Sequence, residues 1–411
     1  KNVYRPARVI SYDKESGELV LHNYMDFDDL KDYVKISYEL TQDGLVISKG
    51  ILSEFSVASH GEGKTNLKIS VPENGKCYLK LIYYLKKEMP LLEENHILGF
   101  DEIEVSQKDA KCQLAEKWLE KTATDSELQV NEDDTQIHIK GREFAYTIDR
   151  RTALFTEMKF AGREYLNHPM ELNIWRAPTD NDMYIKAEWK KAHYDKAYTR
   201  AYTTEVVQGK HGVKIVSHAS VVAETVQKIL DVTITWKIDA SGKIDADIEA
   251  TKDGEFPDLP RFGVRMFLDK KLSDARYFGM GPQESYRDKH QAASHGLYRA
   301  NVRDLHEDYI RPQENGSHYD CGYVELNNSR YGIVASAEKA FSFNASYYTQ
   351  EELEKKTHNY ELAESDSVVL CVDYALNGIG SNSCGPVVLD QYRFNDVLFR
   401  FRFTLIPYVK G

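Results

Sequence analysis

Short runs of alternating apolar and polar residues, broken by glycine, asparagine and aspartate, recur along the whole of this chain. In Ile234-Thr235-Trp236-Lys237-Ile238 and Ile244-Asp245-Ala246-Asp247-Ile248 every second side chain shares a face, and Ser241-Gly242 lies between the runs. That pattern predicts a β-hairpin with one buried face in an antiparallel sheet. Tyr78-Leu79-Lys80-Leu81-Ile82-Tyr83-Tyr84 and Phe399-Arg400-Phe401-Arg402-Phe403 read as two more strands, whose aromatic residues suit a pleated surface. Leu19-Val20-Leu21, Val34-Lys35-Ile36-Ser37-Tyr38 and Leu67-Lys68-Ile69-Ser70-Val71, set between Gly, Asp and Asn turns, predict an immunoglobulin-like β-sandwich over residues 1–106.

Helical patterning is sparse. Ile185, Trp189 and Ala192 give residues 182–202 a weak helical stripe, and Thr349-Gln350-Glu351-Glu352 fits a capping box opening a short helix that ends near Lys356. Repeating strand-helix units are missing, which speaks against a (β/α)8 barrel, since that fold needs eight of them over about 250 residues. Residues 107–134 carry mixed charge and only a thin stripe through Leu114, Trp118 and Leu119, so they read as a connecting segment. Many short strands with turn signals over residues 135–411 predict a second, large β-sandwich. The chain is therefore all-β, and its 411 residues suit two or three domains at roughly 100 to 200 residues each.

Composition narrows the function classes. With 42% hydrophobic residues, 27 Tyr and 16 Phe, the chain can fill sizeable cores. A net charge of −12 argues against a nucleic-acid partner, which needs a concentrated basic face. No apolar run approaches the ~18 residues of a membrane-spanning helix, so no membrane partner is expected. The opening Lys1-Asn2-Val3-Tyr4 is neither a signal peptide nor an initiator, and the chain is expected to begin inside a longer protein. Cys77, Cys112, Cys321, Cys371 and Cys384 are odd in number and widely spread, which predicts reduced thiols. His318 and Cys321 have a ligand-like spacing without a second pair, so no metal is assigned.

The densest chemistry lies in Trp175-Arg176-Ala177-Pro178-Thr179-Asp180-Asn181-Asp182. It is followed by Tyr277-Phe278-Gly279-Met280-Gly281-Pro282-Gln283-Glu284-Ser285-Tyr286 and by Gly378-Ile379-Gly380-Ser381-Asn382-Ser383-Cys384-Gly385-Pro386. Between these stand Leu259-Pro260-Arg261-Phe262-Gly263, Pro312-Gln313-Glu314-Asn315-Gly316 and Phe341-Ser342-Phe343-Asn344. In this order the segments resemble the C-terminal part of a glycoside hydrolase family 2 β-galactosidase, over nearly the whole chain.

The resemblance implies a galactose-mutarotase-like β-supersandwich after the immunoglobulin-like domain. It also implies that the chain is the non-catalytic end of a retaining enzyme acting on terminal β-D-galactosides. Such enzymes need two carboxylic acids about 5 to 5.5 Å apart; in the family both glutamates sit on a barrel that precedes this region. No catalytic residue is therefore expected on this chain, and no cofactor; the magnesium and sodium of the family belong beside the barrel glutamates. The implied partners are that barrel, a galactoside bound by the whole enzyme, and further copies of the chain in a homo-oligomer.

Asp180 and Asp182 would share a face if the segment were a strand, but Pro178-Thr179-Asp180-Asn181 is turn chemistry, and Arg176, Asp180 and Asp182 are expected to anchor the loop. Glu284 and Glu314 are expected as structural or interface anchors paired with Arg287 or Arg311. Gly279 and Gly281 alternate as in a nucleotide loop, without its lysine, and read as a rigid turn. Residues 377–386 hold three glycines that let a backbone approach a ligand. By the resemblance, Ser381, Asn382, Ser383 and Cys384 line the mouth of the catalytic pocket, with Cys384 where some members place a sugar-stacking tryptophan. Two alternatives remain: a carbohydrate-binding module, and an aldose epimerase using His306, His318 or His358 with a glutamate.

Overall fold

The computed structural model describes residues 2–119, 128–209, 211–225, 228–380 and 383–410. The chain forms two compact units, one of Lys1–Gln113 with Gln291–Leu297, the other of Leu114–His290 with Tyr298–Gly411. Of the expected connecting segment, residues 120–127 lie outside the described residues. Its end, Gln129–Glu132, is a strand of the larger unit.

In the first unit Ala7–Tyr12, Glu18–Asn23 and Glu62–Asn66 form one sheet, and Leu45–Ile51, Val34–Gln42, Cys77–Leu85 and Ile97–Glu104 form the other in that order. Ala7, Leu19 and Leu21 of one meet Leu40, Leu79, Leu81 and Tyr83 of the other in a common core, making the immunoglobulin-like sandwich. The predicted strand at 67–71 is absent. Pairing stops at Glu18 and Asn66, and Gly17, with φ +80°, turns the neighbouring strand away, its carbonyl taking the Leu67 N–H. Leu67 is still buried and Ile69 and Val71 pack on the core, so the alternation reported burial and not a ladder. Residues 291–297 dock on this unit through His295, whose backbone N–H and Nδ1 meet the Glu102 carboxylate, Nδ1 at 2.7 Å. The His295 ring stacks on Tyr78 at 3.9 Å, and Lys80 Nζ donates to Ser294 Oγ at 2.8 Å.

The second unit has a five-stranded sheet, from Arg163–Glu164 through Leu154–Phe160, Phe144–Asp149 and Gln136–Lys140 to Gln129–Glu132. Among the described residues its other sheet has twelve strands. The predicted hairpin is there: Leu230–Asp239 pairs with Ile244–Lys252, Asp239 Oδ1 capping the turn by accepting from the backbone of Ser241 and Lys243. Leu398–Val409 lies on its far side and buries Phe399, Phe401 and Phe403 with the wholly buried Trp236. Helices are short. Ile185–Lys191 turns the buried Trp189 inward, and Gln350–Lys355 starts at Thr349, whose hydroxyl accepts from Glu352 N.

Candidate functional site

In the larger unit four loops meet over a buried ion cluster. Arg176 and Arg261 are wholly buried, as is Asp373, and Asp182 and Glu314 nearly so. Arg176 Nη2 donates to Asp182 Oδ1 at 2.7 Å and to Gly378 O at 3.1 Å, and Nη1 donates to Asn377 O. Its guanidinium lies 5.1 Å from the Trp189 ring centre. Arg261 clasps Asp373 with two bonds, 2.6 and 3.2 Å, and reaches Glu314 Oε2 at 3.3 Å. Removing one member of such a set leaves an uncompensated buried charge.

Electrostatics separate the members. Burial works against the Arg261 charge, yet the Asp373 and Glu314 carboxylates more than offset it and hold its pKa well above the usual value. Burial pushes the Glu314 carboxyl up, against the pull of Arg261 and Arg176. Its Oε1 has no hydrogen-bond partner among the described residues. Burial pushes the Asp373 carboxyl up in the same way, against the pull of Arg261. The sequence signal for Asp373 was a lone acid inside the apolar strand Ser367–Leu376.

Asp180 and Asp182 do not converge. They sit on a 3-10 turn, Asp180–Asp182, and not on a strand: Asp182 Oδ2 accepts the Thr179 N–H at 2.8 Å, while the exposed Asp180 meets the Gln313 amide. Neither Glu284 nor Glu314 takes the arginine expected of it from sequence proximity. Glu284 Oε1 accepts from Lys289 Nζ and Tyr309 OH, both at 2.5 Å, and Oε2 from Gly316 N at 2.9 Å. Side-chain reach across the loops outweighs sequence separation: Glu314 meets Arg261, 53 residues away.

The loop at 377–386 is built on this base. Asp288 accepts the N–H groups of Ile379 at 3.1 Å and Gly380 at 2.7 Å, and Asn181 Nδ2 donates to Ile379 O at 2.7 Å. A side chain at Gly378 would stand 2.7 Å from an Asp288 oxygen. That glycine admits Asp288, where the sequence suggested room for a ligand. Asp288 went unremarked in the sequence because its partners lie 91 and 92 residues away. Ser381 and Asn382 lie outside the described residues; Ser383 is half-buried and Cys384 exposed.

The three candidate histidines occupy three settings. His318 is buried against Tyr277 and Phe343, and burial pulls its pKa down to about 4. His306 lies against Tyr348, and the exposed His358 stacks on Tyr360. Cys321 is buried beside the backbone carbonyls of His318 and Tyr319. Among the described residues no group of three or more His, Cys, Asp or Glu side chains is arranged to hold a metal.

A family model described as "Beta galactosidase small chain" matches residues 140–405, and one described as "Beta-galactosidase, domain 4" matches residues 19–106. The β-galactosidase of Actinobacillus pleuropneumoniae is 43% identical over 408 residues, covering 99% of this chain and 39% of that protein. That of Staphylococcus xylosus is 30% identical over 408 residues, covering 98% of this chain and 40% of its own length. The chain thus spans 39% to 40% of these two relatives. Among solved structures, a galactose 1-epimerase from Lactobacillus acidophilus NCFM aligns at a TM-score of 0.36 and 10% identity, over 71% of this chain and 100% of that one.

Proposed function

The chain belongs to the β-galactosidase family, and from that premise we propose that it is the C-terminal, non-catalytic part of a retaining family 2 β-galactosidase hydrolysing terminal β-D-galactosides. In this reading it supports the catalytic barrel and lends the 377–386 loop, with Ser381, Asn382, Ser383 and Cys384, to the mouth of the active site. The supporting observation is the site's division into a locked base and an open rim. Arg176, Asp182, Glu314 and Asp288 fix the loop roots. Met183, Tyr184, Ile310, Val387 and Leu389 stand exposed on loops of the larger unit, apolar side chains that a partner's surface would cover. Magnesium and sodium, with both catalytic glutamates, are assigned to the barrel.

Two measurements test this. The chain alone, incubated with a chromogenic β-galactoside, is expected to show no turnover; activity that survives rigorous removal of contaminating host enzyme overturns the reading. The full-length parent should carry two glutamates at strand ends of a (β/α)8 pattern upstream of Lys1, and an unrelated upstream sequence equally overturns it.

A further inference from the structure

A cleft of about 230 Å³ opens in the larger unit where the strands Ser317–Asn327, Tyr331–Ser346 and Ser367–Leu376 meet the chain at 286–287. Its buried lining joins the rings and side chains of Tyr286, Phe341 and Leu376 to two serines, Ser317 and Ser342. Its rim is polar, and four rim groups have hydrogen-bonding capacity to spare. Arg287 makes one hydrogen bond, from Nη1 to Arg393 O at 3.0 Å, and no ion pair among the described residues. The exposed Asp396 lines the same cleft with no side-chain partner among them, and neither do the hydroxyls of Tyr319 and Tyr374 have one.

The rings carrying those hydroxyls are already positioned. Tyr374 stacks on Phe399 with centres 5.1 Å apart at 15°, and Tyr319 stacks on His290 at 5.8 Å and 27°. Ordering a ligand here therefore costs little rearrangement of the walls. Arg287, Tyr319 and Tyr374 are part-buried and Asp396 is exposed, so their unspent hydrogen-bonding capacity faces solvent and is open to a ligand.

We propose that this cleft is a saccharide subsite for a single pyranose ring. Arg287 supplies donors, Asp396 an acceptor, and the two tyrosine hydroxyls serve as either, which suits the alternating donor and acceptor character of adjacent sugar hydroxyls. The apolar side chains of the lining take the ring's C–H face. One cation set against Asp320 and Asp396 favours a neutral ligand over an anion. The volume lies below the range of sites for drug-sized ligands, about 300 to 1,000 Å³, so one ring is accommodated and not an extended oligosaccharide. Position adds to the case: Leu376 directly precedes the 377–386 loop, and Arg287 directly precedes Asp288, which holds it.

This subsite goes beyond the β-galactosidase reading and is measured without hydrolysis, so either can fail while the other stands. The test is titration of the 411-residue chain with D-galactose and methyl β-D-galactoside, followed by ligand-observed NMR. A Kd on the order of 1 mM is expected. Asp396→Asn and Tyr374→Phe should each weaken binding by about three- to tenfold, with unchanged circular dichroism and thermal melting. Absence of binding at sugar concentrations well above that Kd, or equal affinity in wild type and both variants, overturns the proposal. So does binding of inorganic phosphate or D-glucuronate that depends on Arg287 while neutral sugars do not bind, which would make the cleft an anion site.

Discussion

Residues 377–380 and residues 383–386 belong to one loop and live under opposite physics. In the first stretch the carbonyls of Asn377, Gly378 and Ile379 are held by Arg176 and Asn181, and the N–H groups go to Pro260 O, Tyr392 O and, from Ile379 and Gly380, to Asp288. In the second, Cys384, Gly385 and Pro386 are exposed, and a side chain at Gly385 would have no neighbour within 4 Å. Burial makes an unmet polar group costly, whereas water meets it at no such cost on the surface. A crowd of charged and amide residues in a motif thus reports how firmly a loop is anchored.

The sharpest way to break that contrast is at the base. Arg261→Met strands Asp373 in the interior, and a loss of about 3 to 5 kcal/mol is expected, read from urea unfolding of the larger unit by tryptophan fluorescence. A comparable loss from Cys384→Ala would erase the distinction between base and rim.

His318 supplies a pH test of the same interior. Its pKa falls from 6.5 in the unfolded chain to about 4 in the fold. Between those values the unfolded chain holds a proton that the folded chain rejects, so stability is full above pH 6.5 and declines as pH drops towards 4. The gap corresponds to roughly 3 kcal/mol. His318→Phe, which keeps a ring between Tyr277 and Phe343, should flatten this part of the acid limb in melts taken at pH 7 and pH 4.5; an unchanged slope would assign it to other groups.

Asp288→Asn should act locally. Weaker acceptance of two N–H groups is worth about 1 to 2 kcal/mol, expected as roughly tenfold faster hydrogen exchange at Ile379 and Gly380 with little change in Tm. Uniform acceleration across the unit would show that the loop root is not a separate element. At the rim the effect is smallest. In the full-length parent, Cys384→Trp should shift leaving-group or acceptor preference several-fold, about 0.5 to 1.5 kcal/mol for an added stacking platform, with little effect on a small activated galactoside. Identical kinetics across leaving groups would place this loop outside the pocket.

Period-2 patterning carried the strands that are half-buried, such as Leu230–Asp239 and Cys77–Leu85, because there one face meets the core and the other meets water. It misread 67–71, where the apolar residues serve the core without a neighbouring strand to pair with. At the site, Arg176 and Asp182 were legible because they sit six residues apart in one motif. The Arg261–Asp373 clasp spans 112 residues and was not, since its partners are set by strand register, Arg261 lying across from Leu376 and Gly263 from Asp373. The cleft between Tyr319 and Tyr374 left no mark either; concavity comes from three strands and a loop, and no local pattern encodes it.

The placement of residues 291–297 in the first unit means that the chain crosses between the units three times, at 113/114, 290/291 and 297/298. A boundary drawn once along the sequence therefore cuts a folded body in two. A truncation after Gln113 keeps Glu102, Lys80 and Tyr78 but discards His295 and Ser294, which complete their contacts. Anyone exchanging this sandwich between relatives as a cassette has to transplant two separate stretches of gene, and a protease cutting only at the first crossing would leave residues 1–113 held by their contacts with residues 291–297.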